Sequence, residues 1–397
     1  AAAQKKSPAM LQNQKEPEKM KRCSKCVMPE TWESINYDSN GICNICRNIQ
    51  VKKEKIDWEA KLKEFEELLN QYRGKNQYDC IVPFSGGKDS VYTLYKLVKD
   101  FKLKPLVVSF DHGFFRPKTM ANREKIFKKL GVDVLAFRPN WHIVKKLMLE
   151  SLKRKGDFCW HCHTGIFAYP MQIAVKLKIP LIIWGEPSAE YGGYYAYGEE
   201  EEEVDEKRFN MFVNLGITAQ DMLGMLDSSV TMKDLEPFKY PALKDLREIK
   251  YRSVCLGSFI PWDVQRQVDI IKTELGWEGD IVEGIPPEYD YEKVECRLQG
   301  VRDYLKFIKR GLGRTAHLVS IDVRNGRMNR DKALELAEKY DGNRPASLDY
   351  FLHRLDLSEE DFQKIALSHV VAPHQHDQSK IKPGEKLHDQ ELWDKTK

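Results

Sequence analysis

The sequence predicts an α/β chain built on a parallel sheet, preceded by a small cysteine-rich module and followed by a mainly helical region. Three observations point there. Between residues 76 and 185, short apolar runs alternate with stretches of helical period. A glycine-rich turn, Ser85-Gly86-Gly87-Lys88-Asp89-Ser90, follows the first apolar run and opens the first helical stretch. Ahead of both, two C-x-x-C pairs are separated by 16 residues.

The 397 residues suffice for two or three domains. Residues 1–20 are polar and lysine-rich, lack the apolar core of a signal peptide, and read as a flexible leader. Residues 21–50 form the cysteine module. A connecting segment, 51–75, contains the helix "DWEAKLKEFEELLNQ", with Trp58, Leu62, Phe65, Leu68 and Leu69 in helical register. In the domain assigned to 76–255, "YDCIVPF" is a buried strand, "DSVYTLYKLVKDF" a helix, "KPLVVSF" a second strand and "MANREKIFKKLG" a helix stopped by Gly131. "VDVLAF" is a third strand. "NWHIVKKLMLESLKRKG" is a helix capped by Asn140 and ended near Gly156. "GIFAYPMQIAVKLK" is a helix bent at Pro170, and "IPLIIWG" a fourth strand. The alternation stops near residue 200 at "EEEEEVDEK", a charge run that reads as a solvated loop. The region 256–372 is helical over "PWDVQRQVDIIKTELG", "EKVECRLQGVRDYLKFIKRG", "NRDKALELAEKYDG" and "SLDYFLHRLDLSEEDFQKIALSHV"; 373–397 is a loose polar tail.

Composition narrows the function classes. With 42% hydrophobic and 31% charged residues, a sizeable core lies under a solvated surface. A net charge of +4 is too mild to argue for a nucleic-acid partner, and no apolar run reaches the length of a membrane span. A cytoplasmic protein without nucleic acid or membrane span is expected. In that setting nine cysteines, six of them in C-x-x-C pairs, favour metal over disulfides.

The glycine turn carries the chemistry. Adjacent Gly86 and Gly87 let backbone N–H groups approach an anion, and the helix N-terminus adds partial positive charge. Ser85 and Ser90 add hydroxyls and Lys88 a point charge. Lys88 and Asp89 are the catalytic candidates, Asp89 as a contact to a metal or its waters. Asp111 ends the second strand, and Gly185 and Glu186 follow the fourth, at strand ends where open α/β sheets place ligands. Asp111 suits a nucleoside; Glu186 suits Mg²⁺ or a phosphate.

Cys23, Cys26, Cys43 and Cys46 have the spacing of a zinc ribbon, a closed four-thiolate structural site for Zn²⁺. "DFCWHCHTG" sets Cys159 and Cys162 among His161 and His163 just before a helix, and Cys296 is a distant third ligand. Three cysteines with an open position suit zinc or an iron–sulfur cluster. Cys80 and Cys255, in apolar runs, read as core residues.

At S-G-G-x-D-S after a first strand, the sequence resembles the PP-loop ATP pyrophosphatases, with their HUP-like parallel sheet. The resemblance implies that the turn holds the β- and γ-phosphates while ATP is split between α and β. It also implies that a substrate oxygen is adenylated, and that some thiolation members carry a three-cysteine cluster. "CSKCVMPETWESINYDSNGICNIC", "FSGGKDS", "CWHCHTGI" and "EGIPPEYDYEKVECRLQGVRDYLKFIKRGLGR" together, over about 20–370, resemble the N-acetyl sugar amidotransferases of bacterial surface-polysaccharide synthesis. That likeness implies conversion of the N-acetyl group of a nucleotide-activated sugar to acetamidino. It further implies ATP and Mg²⁺ as requirements and ammonia supplied by a separate glutaminase/synthase pair. Arginine forks suit a diphosphate. Arg314, His317, Arg324 and Arg327, in the glycine-bearing stretches "GRTAH" and "IDVRNGRMNR", are the substrate candidates. The alternative is a tRNA sulfurtransferase using the same adenylation, which the mild charge and missing basic RNA domain count against.

Overall fold

The computed structural model of the chain describes residues 20–185 and 213–377, with 50–55 by backbone alone. Five strands form one parallel sheet: β1 (Cys80–Pro83), β2 (Pro105–Phe110), β3 (Asp133–Phe137), β4 (Leu181–Trp184) and β5 (Arg252–Cys255), in the order β3-β2-β1-β4-β5. The register aligns Ile81 with Leu106 and with Ile182, and Leu181 with Arg252. Strands buried on both faces need apolar residues at every position, which is why "CIVP", "PLVVSF" and "LIIW" lack polar alternation and are buried throughout. Side chains alternate between two cores. Val82, Val107 and Ile183 join one that includes Val91, Leu94 and Ile126; Ile81, Leu106 and Ile182 join another with Met171 and Ala174. The edge strand β3 is partly exposed.

The connecting helices follow their sequence signals. α1 (Asn44–Lys55) opens inside the second C-x-x-C pair. α2 (Trp58–Asn70) is capped by Asp57, which accepts from the Glu59 and Ala60 amides at 3.1 and 3.0 Å. α3 (Lys88–Lys99) starts within the glycine turn, with Gly87 as N-cap. α4 (Pro117–Leu130) ends at Gly131 in the left-handed region, φ +63°. α5 (Trp141–Lys155) is capped by Asn140, which accepts from the His142 amide at 2.9 Å, and ends at Gly156. α6 (Trp160–Leu177) carries Pro170 inside it.

Four expectations are corrected. The sheet has a fifth strand, β5, in a stretch too short to show a period. α6 begins at Trp160, so Cys162, His161 and His163 lie on its first turn rather than ahead of it. The stretch Glu292–Cys296 is not helical. Phe115 pairs with Cys296 in an antiparallel bridge, and Thr119 donates to the Val294 carbonyl at 2.9 Å, tying this strap of bends and turns to the start of α4. Its helix begins only at Gln299 and ends at Arg310. Finally, the last helical stretch is two helices, Ser347–Leu355 and Glu359–Leu367, broken at Asp356 with φ +51°.

The cysteine module packs on the C-terminal helices rather than standing apart. Val27, Met28, Trp32 and Ile45 share a core with Ala316, Val319 and Leu336. Arg330 Nε donates to the Cys23 and Cys26 carbonyls at 3.1 Å each, and Thr31 Oγ1 to the Arg310 carbonyl at 2.6 Å. Among the described residues, no helix is long and apolar enough to cross a membrane. The leader 1–19, Glu186, the acidic run and residues 378–397 lie outside the described residues.

Candidate functional site

The strand order reverses between β1 and β4, so their carboxyl ends form the switch-point crevice of an open α/β sheet. The glycine turn lies there. The amides of Ser85 and Gly86 point to Ser90 Oγ at 3.3 and 3.1 Å, and the Gly87 amide to Ser85 Oγ at 3.2 Å. Three N–H groups and the start of α3 therefore converge on two hydroxyls, the arrangement that cradles phosphate.

The turn requires glycine at Gly86 and is tight at Gly87. Gly86 has φ +94°, and a Cβ there would lie 2.9 Å from Arg123 Cγ. A Cβ on Gly87 would meet Glu295 Oε2 at 2.8 Å. The loop carbonyls are anchored from outside: Trp277 Nε1 donates to Gly86 at 3.1 Å and Arg123 Nη1 to Ser85 at 3.3 Å. Gly185, ending β4, lets that strand approach α3, since its Cβ would stand 2.8 Å from Thr93 Oγ1.

Lys88 is buried. Its Nζ lies 2.8 Å from Asp89 Oδ2 and 3.2 Å from Glu292 Oε2. Glu292 Oε1 lies 3.6 Å from Arg314 Nη1, and Arg314 Nη2 is 3.1 Å from Asp303. Charge thus runs unbroken from the glycine turn to the C-terminal region. Burial alone would push the Glu292 carboxyl up, but Lys88, Lys293 and Arg314 outweigh it and pull the group down to about 2. A folded-state value below the ordinary 4.5 means stability that is fully present above pH 4.5 and is lost as pH falls toward 2. Glu292→Gln should therefore flatten the pH dependence of stability in that acid window. Urea unfolding of both proteins at pH 3 and pH 6 checks it; equal pH dependence would contradict the pairing.

Asp111 sits at the end of β2 but is engaged. Arg138 Nε donates to it at 2.7 Å and the Gly113 amide at 2.8 Å.

The four N-terminal cysteines are buried, with their sulfurs all within 4.8 Å of one another. The Cys26 and Cys43 amides point at Cys23 Sγ at 3.4 and 3.2 Å, which suits a thiolate. This donor set fits a tetrahedral metal, zinc or iron–sulfur. Cys159, Cys162 and Cys296 are brought together against one core. Their sulfurs do not converge as tightly: among the described residues, only the N-terminal four meet that spacing. Burial pushes the Cys159 and Cys162 thiols well up and Cys296 to about 12, and pushes His161 and His163 down to about 3.

The four substrate candidates are split. Arg314 and His317 are buried on the helix Arg314–Arg324, near the glycine turn's charge chain. They do not lie in a loop; Gly313 is simply the N-cap. Arg324 ends that helix, and Arg327 pairs with Asp322 at 2.8 Å. Sequence reading missed Glu292, Glu295, Arg123 and Trp277. The acids stand in a segment whose apolar spacing reads as helix, and neither Arg123 nor Trp277 carries a motif.

The sheet, the turn and the helix N-terminus define a PP-loop α/β domain joined to a four-cysteine module and a helical C-terminal region. Within that last region, residues 288–388 are similar to the C-terminal domain of LPS biosynthesis protein WbpG-like proteins, whose family model they match. Glu292, Cys296 and Arg314 all lie inside this stretch. The uncharacterized protein MJ1599 of Methanocaldococcus jannaschii is 32% identical over 166 residues, 41% of this chain, and the chain spans 58% of that relative's length. Among solved structures, the U34-tRNA thiolase NcsA of Methanococcus maripaludis, with its 4Fe-4S cluster, is 16% identical. That match covers 64% of this chain and 84% of the thiolase with a TM-score of 0.26.

Proposed function

We propose that the chain is an ATP-dependent amidotransferase that converts the N-acetyl group of a nucleotide-activated sugar to acetamidino. One observation carries this reading: Lys88 of the PP-loop and Arg314 of the WbpG-like region share Glu292, at 3.2 and 3.6 Å. A phosphate-gripping lysine is thereby coupled to the region that a polysaccharide-biosynthesis family defines.

The loop amides, the start of α3 and Lys88 would hold the β- and γ-phosphates and stabilise the pyrophosphate as it leaves. Asp89 would bind Mg²⁺, which would neutralise phosphate charge. The amide oxygen of the acetamido group attacks the α-phosphorus, giving an O-adenylyl imidate. Ammonia then adds to the imidate carbon, a proton is lost, and AMP departs carrying the former amide oxygen. A partner glutaminase/synthase pair in the cytoplasm would supply the ammonia, and Cys23, Cys26, Cys43 and Cys46 would hold Zn²⁺.

Incubation with ATP, an ammonium salt and a UDP-acetamido sugar should release AMP and pyrophosphate and convert acetamide to acetamidine by mass. ADP as the product, or ATP turnover only with tRNA, would contradict the proposal.

A further inference from the structure

Where the helices Gln299–Arg310 and Arg314–Arg324 meet, a pocket opens to solvent on one side and narrows to room for a single water-sized molecule. Three carboxylates line it, Glu283, Asp303 and Asp341, against one guanidinium, that of Arg314. Two glycines let the acids come this close to the helix starts. A Cβ on Gly300 would lie 2.4 Å from Glu283 Oε2, and one on Gly313 would lie 2.3 Å from Asp341 Oδ1.

Part of this charge is already engaged. Arg314 Nη2 stands 3.1 Å from Asp303 Oδ1. The Thr315 and Ala316 amides donate to Asp341 at 2.9 and 3.1 Å, and the Ser347 amide donates to Glu283 at 3.0 Å. Among the described residues, neither Glu283 nor Asp341 has a cationic side chain within ion-pair distance. An ionised carboxylate offers about four acceptor positions, so both keep some open. Burial raises both groups, Asp341 to about 6, although the amide bonds oppose it.

Tyr304 points to a ligand independently of the acids. It lines the same pocket and is only 3% exposed, and its hydroxyl is buried with no hydrogen-bond partner. Leaving such a group unpaired is costly. The room is too small for a sugar ring or a phosphate, and three acids to one arginine disfavour any anion. Ammonium is water-sized, positive, and carries four N–H donors. The three carboxylates and the phenolic oxygen supply four acceptor groups.

We propose that Tyr304, Glu283, Asp303 and Asp341 form an ammonium-binding site in the C-terminal region, from which the reaction draws its nitrogen. The proposal rests on the amidotransferase reading and adds the place where its nitrogen donor is held. Arg314 connects this place to the glycine turn, since it is 3.6 Å from Glu292, which is 3.2 Å from Lys88.

The test compares thermal unfolding of the full chain in ammonium, potassium, sodium and tetramethylammonium chloride at equal ionic strength. Ammonium should raise the midpoint over tetramethylammonium by about 1–3 °C. Potassium, close to ammonium in size but without N–H donors, should raise it less. Tyr304→Phe removes only the unpaired hydroxyl, so its midpoint in tetramethylammonium chloride should match wild type while most of the ammonium increment is lost. Equal midpoints in all four salts would mean that the pocket holds water only, and would overturn the site. Equal shifts with potassium and ammonium, or a full ammonium increment in Tyr304→Phe, would overturn it too. Kinetics separate the site from the reaction. Tyr304→Phe should raise the KM for ammonium about fivefold or more and leave the KM for ATP in place. If wild type forms acetamidine and Tyr304→Phe keeps the same ammonium KM, the site is wrong and the reaction stands. If ammonium stabilises the chain in a Tyr304-dependent way but no acetamido sugar releases AMP, the site stands as a binding site and the reaction is wrong.

Discussion

Lys88→Met is expected to slow pyrophosphate release by about 10²–10³-fold, the usual cost of removing one aimed donor from a developing charge. The substitution should also destabilise the fold, because it leaves Asp89 and Glu292 facing a methionine in a buried site. Breaking such a buried pair costs about 3–5 kcal/mol. The two effects can be parted. In the Lys88→Met, Glu292→Gln double variant one buried carboxylate becomes neutral, so part of the stability should return while the rate stays low. Urea midpoints and stopped-flow pyrophosphate release measure the two quantities. If activity returns with stability, Lys88 has only a structural role.

Loss of the metal from the four-cysteine module should have the next largest effect. Metal and fold are coupled in small ribbons, where apparent zinc binding contributes about 10–16 kcal/mol. Here the module's Val27, Met28, Trp32 and Ile45 are part of the main core. Releasing them exposes four apolar side chains at about 1.5–3 kcal/mol each, a loss on the order of 5 kcal/mol or more. Cys26→Ser or Cys43→Ser should therefore lower the thermal midpoint sharply and reduce the metal content from one ion per chain. Elemental analysis with thermal unfolding of the purified variants checks both. Full metal content in the serine variants would remove the tetrahedral site.

The sequence made some of this legible because the local signals were strong. β1, β2 and β4 are continuous apolar runs bounded by turns, and Asn140, Gly131 and Gly156 mark helix ends by mechanisms that act within a few residues. The glycine turn and the spacing of the four N-terminal cysteines were equally local. What escaped depends on distant partners. Val294, Leu298 and Val301 have helical spacing, yet pairing with Phe115 and Thr119 holds the strap from Glu292 to Cys296 in bends and turns. That tertiary override hid Glu292 and Glu295, the acids placed against the turn. β5 offered four residues and no period. Arg314 looked like a loop residue because glycines flank it, whereas Gly311 and Gly313 merely bracket a tight turn between helices.

The central claim is that the amide oxygen of an acetamido sugar attacks ATP at its α-phosphorus. Labelling that oxygen with ¹⁸O tests it directly. After turnover with unlabelled ATP and ammonia, mass spectrometry should find the label in the phosphate of AMP and none in pyrophosphate. Label in inorganic phosphate alongside ADP, or label kept in the sugar product while AMP is unlabelled, would contradict the account.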